Sequence, residues 1–124
     1  MKKVLIIDDA IAFQKTMAMK LKSKGYDIAQ AFDGEEGLDK AIKENPDIIL
    51  LDIKMPKMEG IELLTKLRAN KDVRVVPVFI TSNISTPEVI GDGVVLGVQG
   101  YIVKSDETLD TIASQVAATL DPVK

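Results

Sequence analysis

Four consecutive apolar residues, Ile48-Ile-Leu-Leu51, run straight into a single carboxylate, Asp52. The run is too short for a helix and too continuous for a strand with one wet face. It reads as a central strand buried on both sides, which requires covering layers above and below it. A twin stands at the start of the chain, where Val4-Leu5-Ile6-Ile7 leads into Asp8-Asp9. In open α/β sheets ligands bind just beyond the carboxyl ends of such strands, and all three acids occupy that address. Lys54, Met55 and Pro56 then turn the chain out of the strand, with Pro56 steering Met55 away from helical geometry.

Between these strands the apolar period changes to that of helices. Residues 10–24 place Phe13, Met17 and Leu21 on one helical face, closed by Gly25. A short strand over 26–32 follows. Asp33 is then a helix cap with Glu36 at the capping-box position, Leu38 and Ile42 facing inward, and Asn45-Pro46 as the stop. A helix from about Met58 to Asn70 turns Ile61, Leu64 and Leu67 inward. In the fourth strand Pro77 cannot donate to the ladder, so the regular part is expected at Val78–Ile80. Thr86-Pro87-Glu88 starts a short, loosely held helix that ends near Gly97, since Gly91 and Gly93 each cost it about 1 kcal/mol relative to alanine. Residues 100–103 form a fifth strand, and Ser105-Asp106-Glu107 opens a last helix that buries Leu109, Ile112, Val116 and Leu120.

This alternation predicts an α/β fold: a five-stranded parallel sheet with right-handed crossovers, covered on both faces by five helices. In the flavodoxin-like order 2-1-3-4-5, strands 1 and 3 are neighbours at the switch point, which brings Asp8-Asp9 beside Asp52. With 124 residues the chain is expected to be one domain, 1–124, with no linker or internal repeat.

Composition narrows the chemistry. The chain has no cysteine and no histidine, so thiolate sites and the commonest general base are excluded. Three crowded carboxylates repel one another unless a cation intervenes, and the remaining donors are hard oxygens that favour Mg²⁺, Mn²⁺ or Ca²⁺, of which Mg²⁺ keeps waters and leaves room for a phosphoryl oxygen. A solvated acidic rim without function is the bland alternative. Thr81 and Lys104 are expected directly after strands four and five, on the same edge as the acids. A hydroxyl and a point-charge ammonium there are suitable donors for a phosphoryl group. The net charge of −3 gives no electrostatic reason to bind nucleic acid or an anionic membrane. Neither a signal-peptide pattern nor an apolar run of membrane-spanning length is present, so a cytoplasmic location is the default.

The motifs VLIIDD at 4–9, LLDIKMPKMEG at 50–60, Thr81-Ser82, and GYIVK at 100–104 resemble a two-component response-regulator receiver domain over essentially the whole chain. The resemblance implies a phosphorelay receiver of the single-domain, chemotaxis-regulator-like kind, a switch and not an enzyme in the ordinary sense. Asp52 would accept a phosphoryl group from a histidine kinase or phosphotransfer protein. Asp9, Asp52 and the Lys54 carbonyl would ligate Mg²⁺, with Asp8 contacting it through water. Thr81 and Lys104 would hold the phosphoryl oxygens, assisting both phosphorylation and dephosphorylation, and Tyr101 would turn inward as Thr81 moves. The surface over 81–105 would then change and control a partner protein through the helix 4–strand 5–helix 5 face.

The chain also departs from that family. The lysine is usually followed by a proline in a cis peptide; here Ser105 follows it, so a trans bond and a capping role for Ser105 on the last helix are expected. Lys54 and Asn83 would flank the path of a hydrolytic water. No lysine or arginine occurs from Val75 to Val103, where Val89, Val94, Val95, Tyr101 and Val103 stand in or beside the output face. An apolar contact with a partner is therefore expected there, in place of a salt-bridged DNA-binding dimer. Competing readings are a phosphohydrolase of the haloacid dehalogenase type, a flavin binder, and a degenerate docking receiver. Asp121-Pro122 as a stop fits both a stand-alone receiver, which is expected, and one excised from a longer protein.

Overall fold

In a computed structural model, which describes residues 2–54, 58–71, 75–83 and 87–121, strands and helices alternate along the whole chain. They are β1 (Lys3–Ile7), α1 (Ile11–Ser23), β2 (Asp27–Ala31), α2 (Gly34–Glu44), β3 (Ile48–Leu51), α3 (Gly60–Ala69), β4 (Val78–Ser82), α4 (Pro87–Val95), β5 (Gly100–Val103) and α5 (Leu109–Leu120). The strands form one sheet in the order β2-β1-β3-β4-β5, every neighbouring pair parallel. The expected α/β architecture is thus the observed one.

Successive residues in a strand point to opposite faces, and here both faces are apolar. Leu5, Ile7, Ile49, Leu51, Val78 and Ile80 pack with α2 and α3 residues such as Ala41, Leu63, Leu64 and Leu67. Val4, Ile6, Ile48, Leu50, Phe79 and Ile102 pack on the other side with Met17 and Leu21 of α1 and Ile112, Val116 and Leu120 of α5. Two separate apolar layers therefore clamp a sheet whose inner strands, β3, β4 and β1 beyond Lys3, have no wet face.

Local details correct the expected boundaries. β4 continues past Ile80, because Thr81 and Ser82 pair with Ile102 and Val103 of β5. Pro77 does no harm: its carbonyl accepts from Ile49 N–H at 2.9 Å, and its missing donor falls before the strand. α5 starts at Leu109 and is capped by Thr108, whose Oγ1 accepts from Thr111 N–H at 3.1 Å. Ser105 does not cap it; Ser105 to Glu107 form a turn in which Asp106 N–H reaches Val103 O at 3.0 Å. Leu109 is accordingly half-buried, while Ile112, Val116 and Leu120 are buried. α2 has the expected Asp33 cap, with Glu36 N–H donating to Asp33 Oδ1 at 2.9 Å. Glu36 Oε1 accepts in return from Phe32 N–H at 2.7 Å, one residue earlier than in a standard capping box. Ile42, expected inside, is 39% exposed; Ala41 takes the inner position.

α4 begins at Pro87, as proline at a first helical position allows, and is followed by Gly97 at φ 71°. Gly93 has a packing role there: a Cβ on it would lie 3.1 Å from Ile80 Cδ1 and 3.3 Å from Val98 Cγ2. Thr86, Met55 and Pro56 lie outside the described residues.

At the floor of the sheet Lys2, just before β1, meets the end of α5. Lys2 Nζ donates to the Leu120 carbonyl and lies 3.8 Å from Asp121 Oδ1. Tyr26 Oη completes the link to Asp121 Oδ2 at 2.8 Å.

Candidate functional site

The opposite end of the sheet carries the acids. Ile7 of β1 pairs with Leu51 of β3, so the residues that follow them, Asp8 and Asp52, leave the sheet side by side. Asp52 N–H donates to Ile7 O at 2.9 Å, extending the ladder to the acid itself. α3 can start close behind only because residue 60 is glycine. A Cβ there would sit 2.3 Å from the Asp52 carbonyl oxygen.

Asp8, Asp9 and Asp52 each offer a carboxylate oxygen, and these oxygens all lie within 4.8 Å of one another. Asp8 is fully buried, Asp52 is 7% exposed, and Asp9 faces solvent. Asp8 Oδ1 accepts from Ala10 N–H at 2.9 Å, which anchors that carboxylate. Lys104 Nζ lies 2.5 Å from Asp8 Oδ2 and 3.8 Å from Asp52 Oδ2. The Asp8 contact is an ion pair without directed hydrogen-bond geometry. Burial, followed by the charge of Asp8, pushes the Asp52 carboxyl up to about 6 against the opposing pull of Lys104.

Thr81 is fully buried near the end of β4, and its Oγ1 has no hydrogen-bond partner among the described residues. A buried hydroxyl left unpaired is costly, and such exceptions often mark a place where a polar group is meant to arrive. Tyr101 on β5 is half-buried against the core. Its hydroxyl is pushed up by burial and by the charge of Asp52, with a Ser82 hydrogen bond opposing. Lys54 is exposed two residues after Asp52. Asn83 is exposed just after β4 and accepts from Ser105 N–H at 3.0 Å. The Lys104–Ser105 peptide is trans.

The structure thus brings Asp8, Asp9, Asp52 and Lys104 together. Two contacts escaped the sequence. Phe13, assigned only to the inner face of α1, has its ring 4.4 Å from Lys104 Nζ, measured to the centroid. The signal for it was position: α1 starts directly after the strand-end acids, so an inward residue of its first turn must abut that edge. The Asn83–Ser105 link carried no such signal, because it joins a side chain to a backbone across two loops. As for Mg²⁺, the donors fit: three hard carboxylates close enough to share one small cation, with repulsion at Asp52 that a cation would relieve.

The response regulator receiver domain family matches this chain over residues 4–116. The chain belongs to that family. It is 36% identical to the alkaline phosphatase synthesis transcriptional regulatory protein PhoP of Bacillus subtilis, covering 83% of this chain and 42% of that protein. It is 37% identical to the chemotaxis protein CheY of Treponema pallidum, covering 90% of this chain and 81% of that one. The crystallised chemotaxis response regulator CheY4 of Vibrio cholerae superposes with a TM-score of 0.88 at 31% identity, covering 97% of this chain and 99% of that one. Several other relatives are much longer, the chain spanning between 15% and 42% of their length. This receiver domain accordingly functions in two-component phosphorelay signalling, where receivers act as switches between histidine kinases and downstream effectors. Receivers bind Mg²⁺ through acidic residues, and the aspartate cluster here could hold that ion. No helix among the described residues is long and apolar enough to cross a membrane.

Proposed function

We propose that Asp52 is the phosphoacceptor of this receiver, supplied by a histidine kinase or phosphotransfer protein in the cytoplasm. The supporting observation is the meeting of three carboxylates within 4.8 Å, with the Lys104 ammonium 3.8 Å from Asp52 Oδ2. An Asp52 carboxylate oxygen attacks phosphorus in line with the departing imidazole. A P–O bond forms as the P–N bond breaks, and the bond pair returns to the imidazole nitrogen, which takes a proton from water.

Asp9, Asp52 and the main-chain carbonyl of Lys54 would hold Mg²⁺, with Asp8 beside them. When bound, the ion supplies charge neutralisation on the phosphoryl oxygens. Lys104 steadies those oxygens from the other side, and the unpaired Thr81 hydroxyl gains the acceptor it lacks. As Thr81 is drawn toward the phosphoryl group, Tyr101 turns further inward and the 81–105 surface rearranges. Lys54 and Asn83 flank the path of the water that later hydrolyses the acyl phosphate. Residues 1–124 act in this as a single receiver domain.

The changed surface addresses a partner protein through α4, β5 and α5. Val94 is 70% and Val95 85% exposed on α4, within a stretch from Val75 to Val103 that has no basic residue. An apolar contact suits this face better than a lattice of ion pairs. The Val89 side chain lies outside the described residues.

Incubation with acetyl phosphate and Mg²⁺, read by intact-protein mass spectrometry, tests the reading. The wild type should gain one phosphoryl group and Asp52→Asn none. A wild type that stays unmodified, or a variant that is labelled equally, would sink it.

A further inference from the structure

Lys104 has a flexible four-carbon stem, so its ammonium serves the acid edge only if something directs the tip. The backbone around it is fixed on both sides. Its own N–H donates to the Ser82 carbonyl at 3.0 Å, and the next N–H, of Ser105, donates to Asn83 Oδ1 at 3.0 Å. At the tip, Nζ meets three groups: Asp8 Oδ2 at 2.5 Å, Asp52 Oδ2 at 3.8 Å and the Phe13 ring at 4.4 Å.

The two carboxylates cannot set the position of this ammonium under all conditions. Asp8 is the nearer and the more buried, so it wins the ammonium when the acids are bare. A divalent cation among the acids takes over their charge, and the electrostatic hold on Nζ then weakens. The ring face is different. Its attraction comes from a fixed quadrupole that no incoming cation neutralises. Phe13 is itself held, half-buried in the first turn of α1 against the α1–α5 apolar layer.

We propose that the Phe13 ring is a seat for the Lys104 ammonium, keeping it within reach of Asp52 once a divalent cation has taken up the charge of the acids. Phe13 is then a positioning residue. The inference rests on the reading of Lys104 as the cation that steadies the phosphoryl oxygens.

The test is a double-mutant cycle at saturating Mg²⁺ with acetyl phosphate as donor. Phe13→Leu keeps an apolar side chain and removes the ring. It should slow labelling roughly three- to tenfold, and Phe13→Tyr should restore most of the rate. In a Lys104→Met background, Phe13→Leu should have no further effect. Equal losses in the two backgrounds would mean that Phe13 merely fills the layer between α1 and α5, and would overturn the proposal. An unchanged rate in Phe13→Leu would overturn it as well.

A second measurement needs no phosphoryl transfer. The Lys104 ε-methylene protons should resonate upfield in the NMR spectrum from the ring current, with or without Mg²⁺, and return to ordinary values in Phe13→Leu. Ordinary values in the wild type would remove the seat. A wild type that no donor labels would sink the phosphoacceptor reading instead, while the ring-current shift would still decide the position of the ammonium.

Discussion

Ser105 and Asn83 are joined across two loops: the Ser105 backbone N–H donates to Asn83 Oδ1 at 3.0 Å. The bond ties the end of β4, one residue beyond the Thr81-Ser82 pair, to the loop that carries Lys104. A proline at 105 would have no hydrogen to give. In this receiver the two sides of the site are therefore tied by a side chain.

Removing the tie should be cheap in stability and visible locally. Asn83→Ala should cost about 0.5–1 kcal/mol by urea denaturation, as expected for a solvent-exposed hydrogen bond. The Ser105 amide should exchange with deuterium markedly faster in that variant, while amides of β1 and β3 keep their wild-type rates. Unchanged exchange at Ser105 would show that the bond does not persist in solution.

Asp52 should destabilise the metal-free protein. Its carboxyl is raised from 3.8 to about 6, chiefly by burial and then by Asp8, so the folded state binds a proton more tightly than the unfolded chain does. The sign follows: stability is fully present below the unfolded pKa and is lost as pH rises through about 6. At pH 7 and without metal, Asp52→Asn should be more stable than the wild type by about 1–3 kcal/mol. The difference should shrink toward pH 4. Added Mg²⁺ should stabilise the wild type and leave Asp52→Asn nearly unaffected. Denaturation midpoints at both pH values, with and without the ion, check this.

Thr81 should behave as a hydroxyl kept at a cost. Its buried Oγ1 has no partner among the described residues, and valine has nearly the same shape. Thr81→Val should therefore be neutral or up to about 1 kcal/mol more stable by thermal denaturation. Phosphorylation of the wild type is expected to shift the Tyr101 resonances, and Thr81→Val should lose that change. A variant destabilised by more than that range would point to a hydrogen bond already present in the unmodified protein.

Gly60 should tolerate no side chain. A Cβ there would lie 2.3 Å from the Asp52 carbonyl oxygen, so α3 or the acid must move. Gly60→Ala should lose about 1–3 kcal/mol and slow acetyl phosphate labelling, whereas Gly91→Ala, with open space around it, should do neither. Equal stability of both variants would refute the close approach.

Asp9 should separate metal binding from folding, because it is exposed while its neighbours are not. Asp9→Asn should leave the thermal midpoint nearly unchanged and weaken Mg²⁺ binding, measured by calorimetry, on the order of tenfold.

The layout of the fold was legible because buried parallel strands have an unmistakable form: Ile48–Leu51 and Val4–Ile7 are unbroken apolar runs that end on acids. Parallel pairing then brought Asp8 beside Asp52 without further assumption. What stayed illegible depends on partners distant in sequence. Pro77 suggested a strand confined to Val78–Ile80, yet Thr81 and Ser82 pair with Ile102 and Val103, a contact that local propensity cannot express. Ser105 had the chemistry of a cap, but Thr108 lies next to the first helical turn and takes that role. Ile42 fell on the apolar face by periodicity alone, while the smaller Ala41 is the residue that fits against the sheet.

Lys2, Tyr26 and Asp121 gather the start of β1 and the end of α5 at one pole of the molecule, and Asp8, Asp9 and Asp52 stand at the other. A fluorophore or affinity handle carried at position 2 or 121 would hang from the underside, a strand length away from any approaching phosphodonor. The protein can therefore be tethered to a surface through position 2 or 121 with its chemistry facing outward.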